Sequence, residues 1–382
     1  MAGPNFYNMG DPEVVLQWEK RVLVEVALKT ALMNKRFGAI GEDETNLVQR
    51  QKKVFEPGGT RATFYLTRQL RQLPSFGQQE MRNREEGIGT KTFTLDINQV
   101  RHAVAIKGWR ITNQRVPIKL YEKSITAMGE YWPKVMESGA FAHLCGVPYD
   151  VATAREWYHR GDHLGVTFGN VPTVPDSLHI YRPNHITDTD DTNVGLDPTA
   201  IIDTNVSAAL VAMAGAMPVP IRPAMIHGKE LYVLFVHPYQ VVHLKENSRW
   251  MTRMEKTLQG GAIDGNPLWS GALGIDSGVL WVESNYIYPG LSSTNTRVAN
   301  CRRAVFCGAQ ALLMGLGKEN DDESTFMSDQ ENWDYNNNKG TAATIIAGMR
   351  APKFEIEEQA NAVQDFSKIV VPAYAKELVT SA

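Results

Sequence analysis

The sequence has few of the features that build disulfide scaffolds, metal sites or membrane spans. Its 382 residues include 3 cysteines, an odd number without the spacing of a zinc site. We therefore interpret Cys145, Cys301 and Cys307 as reduced thiols of a protein made in the cytosol. No apolar run approaches the length of about 18 residues that a membrane span needs, and the first residues do not resemble a secretion signal. We expect neither a membrane helix nor secretion.

Motifs that carry catalysis or bind nucleotides are also missing. No Gly-x-Ser-x-Gly motif is present, and residues 58–60 lack the lysine of a phosphate-binding loop. His237 and His243 have no third ligand at a useful spacing, so we interpret His237 as a cap after a strand. Residues 188–193 resemble a calcium loop, but the glycine and glutamate are misplaced, which favours a surface turn over an adventitious cation site. The sequence predicts no catalytic, cofactor or metal site, and no enzyme.

The charge of the chain is unevenly distributed. Residues 51–123 carry 14 Lys/Arg against 6 Asp/Glu, a net charge of +8, whereas the remaining 309 residues sum to −11. The net charge of the whole chain is −3, which argues against a dedicated nucleic-acid-binding protein. The basic segment has little apolar surface, so we expect it to lie against a neighbouring subunit rather than its own chain.

Hydrophobic periodicity predicts an α+β chain in which helices and strands do not alternate regularly. Residues 61–66 and 91–97 are predicted strands, rich in Thr and aromatic residues, that form the two sides of an extended loop. About 24 residues between them have no periodicity, which is long for a loop without a function. Apolar residues then recur at helical spacing over 117–145, and Pro133 either kinks this helix or divides it into two.

The other predicted elements depend on shorter patterns. Helices are predicted at 11–34, 200–217, 239–245 and 303–316. Strands are predicted at 104–106, 109–112, 231–236, 280–282, 285–288, 344–347 and 368–371, and the acidic stretch 319–338 is predicted as a loop. Six residues turn a helix by about 600°, so Cys301 and Cys307, which flank Arg303 at the start of the predicted helix, should not form a disulfide.

Seven short motifs occur in an order that resembles a known family. They are REEGIG at 84–89, INQVR at 97–101, QR at 114–115, FVHPYQVVHL at 235–244, NPLWSGALG at 266–274, CRRAVFCGAQA at 301–311 and AGMR at 347–350. Together they resemble the major capsid proteins of tailed double-stranded DNA phages, in the branch found in N4-like and related podoviruses. The resemblance covers almost the whole chain, whereas Pro133 and the Pro-rich insert at 172–183 depart from it.

The resemblance implies a fold, a function and partners. Its fold has four parts: an N-terminal arm at 1–54, an extended loop (E-loop) at 55–103, a peripheral domain at 104–199 and 336–382 with a spine helix at 117–145, and an axial domain at 200–335. It implies hexamers and pentamers that assemble into an icosahedral head around double-stranded DNA. The implied partners are the chain itself, portal, scaffolding or cement proteins, and DNA bound non-specifically. The implied location is a virion made in the host cytoplasm, without a membrane.

Charged residues of the E-loop are the predicted contacts with a neighbouring subunit. They are Arg82, Arg84, Glu85, Glu86 and Lys91. One exposed ion pair is worth ~0–1 kcal/mol, but repeated pairs add up and fix the register between subunits. The alternative is that these side chains are only solvated, and a further one is that the basic segment contacts DNA.

Three other functions remain open at this stage. An encapsulin-type shell of a cellular nanocompartment shares the implied fold, and a virion decoration protein would also be oligomeric. An enzyme of unknown type is disfavoured by the missing motifs. The acidic stretch 319–338 is either a solvated loop or the partner of a basic neighbour.

Overall fold

The computed structural model shows a chain of mixed helices and strands, which confirms the α+β class. It describes residues 32, 40–41, 43–51, 61–67, 73–82, 84–87, 90–115, 120–147, 168–226, 228–252, 272–317, 326–356 and 362–377. Apart from Leu32, the predicted helix at 11–34 lies outside these residues. The four predicted domain boundaries stay predictions.

The described helices and strands have the following bounds, each type numbered in chain order. The helices are α1 (Trp109–Arg115), α2 (Leu120–Cys145), α3 (Thr192–Leu196), α4 (Thr204–Ala216) and α5 (Pro238–Glu246), with a 3₁₀ turn at Ser177–His179. The first strands are β1 (Ile40–Gly41), β2 (Val48–Gln51), β3 (Arg61–Thr67), β4 (Thr90–Asp96), β5 (Asn98–Ile106), β6 (Ala224–Ile226), β7 (Lys229–Val236), β8 (Ala272–Asp276) and β9 (Val279–Glu283). The others are β10 (Pro289–Leu291), β11 (Arg297–Cys307), β12 (Leu312–Leu316), β13 (Phe326–Trp333), β14 (Asn338–Arg350), β15 (Lys353–Ile356), β16 (Ala362–Asp365) and β17 (Lys368–Tyr374).

The long helix α2 is continuous through Pro133, so the prediction of one long helix is confirmed and its division into two is wrong. Proline removes one backbone hydrogen bond from a helix interior. Burial offsets that loss, because Trp132 and Phe141 are fully buried and every residue from Val135 to Cys145 is buried. The second half of α2 therefore lies inside the protein.

The first sheet has the strand order β1-β2-β12-β14-β13, with β5 also paired to β14. The long strand β14 is its centre, because it pairs with β13 on one side and β5 on the other. Its residues Ala343, Ile345 and Met349 belong to the same core as Trp132 of α2. One face of this sheet thus packs on the helix.

The second sheet has the order β10-β11-β7-β9-β8, with β17 paired to β11 and β6 to β7. Alternate residues of β7 point to different cores: Phe235 packs with α2, and Leu234 packs with residues of α4 and α5. A strand that is covered on both faces has a nearly continuous apolar sequence, and the predicted buried strand at 231–236 is confirmed.

The helix predicted at 303–316 is wrong, because these residues form the end of β11, a turn and β12. Gln310 has a φ of 58°, and a Cβ at Gly308 would lie 2.4 Å from the carbonyl oxygen of Arg222, so neither position suits a continuous helix. Cys301 and Cys307 lie on one strand, about 20 Å apart at the usual rise per residue. Like Cys145, both are free and buried.

Three further predictions were wrong. Residues 109–112 lie in α1 rather than a strand, because Gly108 with a φ of 59° turns the chain after β5. Residues 285–288 form a turn before β10. The acidic stretch predicted as a loop contains β13 and the start of β14, joined by a turn at 334–337.

Candidate functional site: the extended hairpin

The extended loop is an antiparallel hairpin of β3 and β4. Its register runs from Arg61 opposite Asp96 to Thr67 opposite Thr90, which confirms the two predicted strands. One face is buried and consists of Ala62, Phe64, Phe93 and Leu95. The other face is exposed, as the strict alternation of β4 requires.

The stem of the hairpin packs on the first sheet of its own chain. A Cβ at Gly348 would lie 2.2 Å from the carbonyl oxygen of Asp96, and one at Gly315 would lie 3.2 Å from Ala62. The two glycines let β4 and β3 approach the sheet, and Leu313 joins the stem's apolar cluster. The expectation that the basic segment has too little apolar surface to pack on its own chain is therefore wrong for the stem.

Polar contacts fix the end of the stem. The Asp96 N–H donates to Oδ1 of Asn170 at 3.0 Å, and Nδ2 of Asn170 donates to the Asp96 carbonyl at 2.8 Å. The Arg350 guanidinium lies 4.9 Å from the centroid of the Phe93 ring and donates to the Thr94 carbonyl at 3.3 Å. These contacts hold the stem in one orientation.

The tip of the hairpin is exposed. Within residues 73–82 and 84–87 every described side chain is exposed except the half-buried Ser75. Three of these residues are large and apolar, with exposed fractions of 86% for Leu73, 71% for Phe76 and 67% for Met81. Several large exposed apolar side chains within one short segment are typical of an interaction surface.

The predicted contact residues lie at this tip or beside it. Arg82, Glu85 and Glu86 are exposed, and Arg84 is exposed but donates to Oε1 of Gln79 at 2.6 Å. Lys91 differs, because its Nζ lies 4.0 Å from Oε2 of Glu355 in the same chain.

The three apolar residues of the tip were missed by the sequence interpretation. Leu73, Phe76 and Met81 are isolated apolar residues in a polar stretch without periodicity. That isolation was their only available signal, and it does not distinguish a surface contact from a residue buried in the chain's own core.

A buried ionic cluster lies in the stretch predicted as a surface turn. Asp191 is fully buried and accepts hydrogen bonds from Nε of Arg182 at 3.0 Å and Nε of Arg303 at 2.7 Å. It also accepts one from the Leu291 N–H at 2.9 Å. Asp191 therefore ties the segment before α3 to β10 and β11, and its role is structural.

Within the part of the chain that the structure describes, no group of His, Cys, Asp or Glu side chains could hold a metal ion. His237 caps α5, since its Nδ1 accepts a hydrogen bond from the Tyr239 N–H. Burial raises the pKa of the Cys145 thiol to about 11, and burial raises the pKa values of Cys301 and Cys307 as well. None of the described helices is long and apolar enough to cross a membrane.

Comparison with known proteins identifies the family to which this chain belongs. A family model described as phage capsid protein matches residues 7–377. The chain belongs to the phage capsid protein family. The comparison with curated proteins found no match.

Solved structures show the same fold. The capsid protein of Ralstonia phage GP4 is 22% identical, with a TM-score of 0.71, and the match covers 99% of this chain and 100% of that one. The capsid asymmetric unit of cyanophage Pam1 is 15% identical, with a TM-score of 0.65, and the match covers 91% of this chain and 94% of that one. The head structure of Helicobacter pylori bacteriophage KHP40 is 11% identical, with a TM-score of 0.59 and coverages of 89% and 90%.

This phage capsid protein therefore has the fold that its motifs implied, that of tailed-phage capsids. Family membership makes it a shell protein of the virion and implies a structural role rather than an enzymatic one. It also favours the phage shell over the cellular nanocompartment and the decoration protein that the sequence left open.

Proposed function

We propose that copies of this phage capsid protein form the hexamers and pentamers of an icosahedral head, and that each hairpin tip binds a neighbouring copy. The observation that supports this proposal is the contrast within the hairpin. Its stem is anchored on its own chain through Gly315, Gly348 and Asn170, whereas its tip exposes Leu73, Phe76 and Met81 to solvent.

Burial of the tip against a neighbour would supply a large favourable free energy. A fully buried Leu, Phe or Met side chain contributes about 1.5–3 kcal/mol relative to an exposed one. Three such side chains per copy, repeated at every contact of a closed shell, outweigh exposed ion pairs of ~0–1 kcal/mol. The apolar residues thus provide affinity.

Charge would provide orientation. Arg82 and Arg84 lie on the segment with a net charge of +8, and the rest of the chain sums to −11. These two arginines are therefore attracted to the acidic remainder of another copy, which speeds encounter and fixes register. Glu85 and Glu86 beside them would exclude acidic surfaces at the wrong position.

The other partners belong to the same proposal. The head encloses double-stranded DNA without reading its sequence, and it joins a portal and scaffolding or cement proteins. Assembly takes place in the host cytoplasm, and it needs no cofactor.

The experiment compares particle formation by the purified wild-type chain and two matched double variants in electron micrographs. Leu73→Ser with Phe76→Ser should leave the circular dichroism and melting of the subunit unchanged and prevent closed particles. Ile186→Ser with Leu196→Ser removes two apolar side chains that are equally exposed but lie outside the hairpin, and should assemble normally. Normal particles from the tip variant would contradict the proposal.

A further inference from the structure

The turn between β13 and β14 presents a tyrosine on a strained backbone. Asp334, Tyr335 and Asn336 have φ values of 54°, 49° and 65°, all in the left-handed region. Asp and Asn tolerate this region, whereas for a tyrosine it costs roughly 1–2 kcal/mol. Tyr335 is fully exposed, so its side chain gains nothing from the chain that holds it in this conformation.

Helix α1 holds the turn rigid. The Trp109 N–H donates to the Asn337 carbonyl at 2.9 Å, and its indole Nε1 donates to the Asn336 carbonyl at 3.1 Å. The Lys339 ammonium lies 3.9 Å from the centroid of the Trp109 ring. A backbone that is fixed before binding loses little conformational entropy on binding, so the backbone of this turn is preorganised for a partner.

Charges of opposite sign flank the turn. Asp329 and Glu331 are exposed on β13, and Lys107 and Arg110 are exposed where the chain leaves β5 and enters α1. Strand β14 separates the two flanks by two inter-strand spacings, about 10 Å. Among the described residues, none forms an ion pair with any of these four side chains.

We propose that this corner, made of the turn at 334–337 with its acidic and basic flanks, binds the same corner on a second copy of the chain. In a contact between identical patches, the acidic flank of each copy meets the basic flank of the other. An aromatic residue at the centre of such a patch is the usual energetic hot spot, and Tyr335 occupies that place. The inference rests on the proposed assembly of copies, but its surface is separate from the hairpin tip.

The first test measures self-association without a shell. Subunits that carry Leu73→Ser and Phe76→Ser keep the corner, so sedimentation at high protein concentration should show a monomer–dimer equilibrium. Adding Tyr335→Gly, which relieves the backbone strain and so should leave the turn folded, should weaken dimerisation at least about tenfold. Adding Ile186→Gly instead should not weaken it. Equal dimerisation with and without Tyr335→Gly, or no dimer at all, overturns the inference while leaving the hairpin proposal untouched.

The second test exchanges the charges. Arg110→Glu alone and Glu331→Arg alone should each weaken the dimer, because like charges then face each other across the contact. The two changes together should restore it, because every copy again supplies one flank of each sign. If the double variant dimerises no more tightly than the single variants, and its melting temperature is unchanged, the result contradicts a contact between two identical corners.

Discussion

Asn170 binds both backbone groups of Asp96, as a neighbouring strand would. The side-chain oxygen accepts from the Asp96 N–H at 3.0 Å and the side-chain nitrogen donates to its carbonyl at 2.8 Å. Asn170 is buried and lies 74 residues further along the chain. It therefore ends the hairpin stem where β4 turns into β5, and this one amide adds to the contacts that fix the direction of the hairpin.

Replacement of Asn170 by alanine removes both hydrogen bonds to Asp96 and a third, from Nδ2 to the Phe168 carbonyl at 3.0 Å. The free energy of unfolding should fall by about 1–3 kcal/mol, because two backbone groups of Asp96 lose their partners. Amide hydrogen exchange should speed up in β4 before the rest of the first sheet. Asn193→Ala is the control, since that exposed amide donates to Oδ2 of Asp188 at 3.0 Å. Unchanged exchange in β4 would show that the amide does not hold the stem.

Replacement of Gly348 by alanine should displace the stem from the first sheet. The new Cβ would lie 2.2 Å from the Asp96 carbonyl oxygen, and overpacking of this kind costs about 1–3 kcal/mol. Thermal melting should therefore drop and particle yield should fall. Gly87→Ala is the control at the tip, where an added Cβ meets nothing within 4 Å. Equal melting of the two variants would argue against a close approach at Gly348.

Reversal of the basic tip charges should impair assembly without unfolding the subunit. Arg82→Glu with Arg84→Glu turns attraction to an acidic neighbour into repulsion. Arg82→Gln with Arg84→Gln only removes the attraction, so its effect on assembly should be smaller. Lys229→Glu with Lys245→Glu makes the same change in net charge on exposed residues outside the hairpin. Circular dichroism checks the fold and electron microscopy the particles. The prediction fails if the arginine reversal gives a normal circular dichroism spectrum and a normal particle yield.

Loss of the buried Asp191 carboxylate should be far more costly than loss of an exposed one. Asp191→Ala leaves Arg182 and Arg303 buried without their anion, and we expect a loss of about 3–5 kcal/mol in the free energy of unfolding. Arg61→Ala removes an exposed pair with Asp96 and should cost ~0–1 kcal/mol. Denaturant unfolding of both variants measures the difference, and equal costs would contradict the structural role of Asp191.

The buried cysteines predict a loss of stability at alkaline pH. Burial raises the pKa of the Cys145 thiol from 9.0 to about 11, so the folded protein favours the neutral thiol. The stability that the neutral thiol contributes is therefore complete below pH 9 and is lost as the pH rises towards 11. Cys145→Ala should flatten that part of the pH profile of unfolding.

Native subunits should resist thiol reagents at pH 8, and neither reductant nor chelator should change particle stability. Rapid labelling of Cys145 in the native protein would show that the thiol is not buried.

Elements with a strong local pattern were predictable from the sequence. The alternation in β3 and β4, the apolar run of β7 and the helical stripe of α2 each identify their element, because the face that is buried repeats at the period of the backbone. The cap of α5 by His237 followed from the strand end and Pro238. The prediction of these elements depends only on residues that are close together in the sequence.

Other elements depend on contacts that no local pattern contains. Residues 303–316 are largely apolar, and a run of that kind does not distinguish a buried helix from strands covered on both faces. Strand β13 was missed because its exposed acidic residues suit an edge strand as well as a loop. The burial of Asp191 was missed because it depends on a distant contact: its partner Arg303 is 112 residues away in the sequence.

The position of β14 at the centre of the first sheet sets the order in which the protein can fold. Strand β5 ends at Ile106, and its partner β14 ends at Arg350. A ribosome adds roughly 5–20 residues per second, so roughly 10–50 s pass between the two. During that time the apolar faces of β5 and of the hairpin stem have no sheet to pack on. The chain must therefore complete its fold after synthesis, and the late pairing exposes its apolar faces to aggregation at high expression.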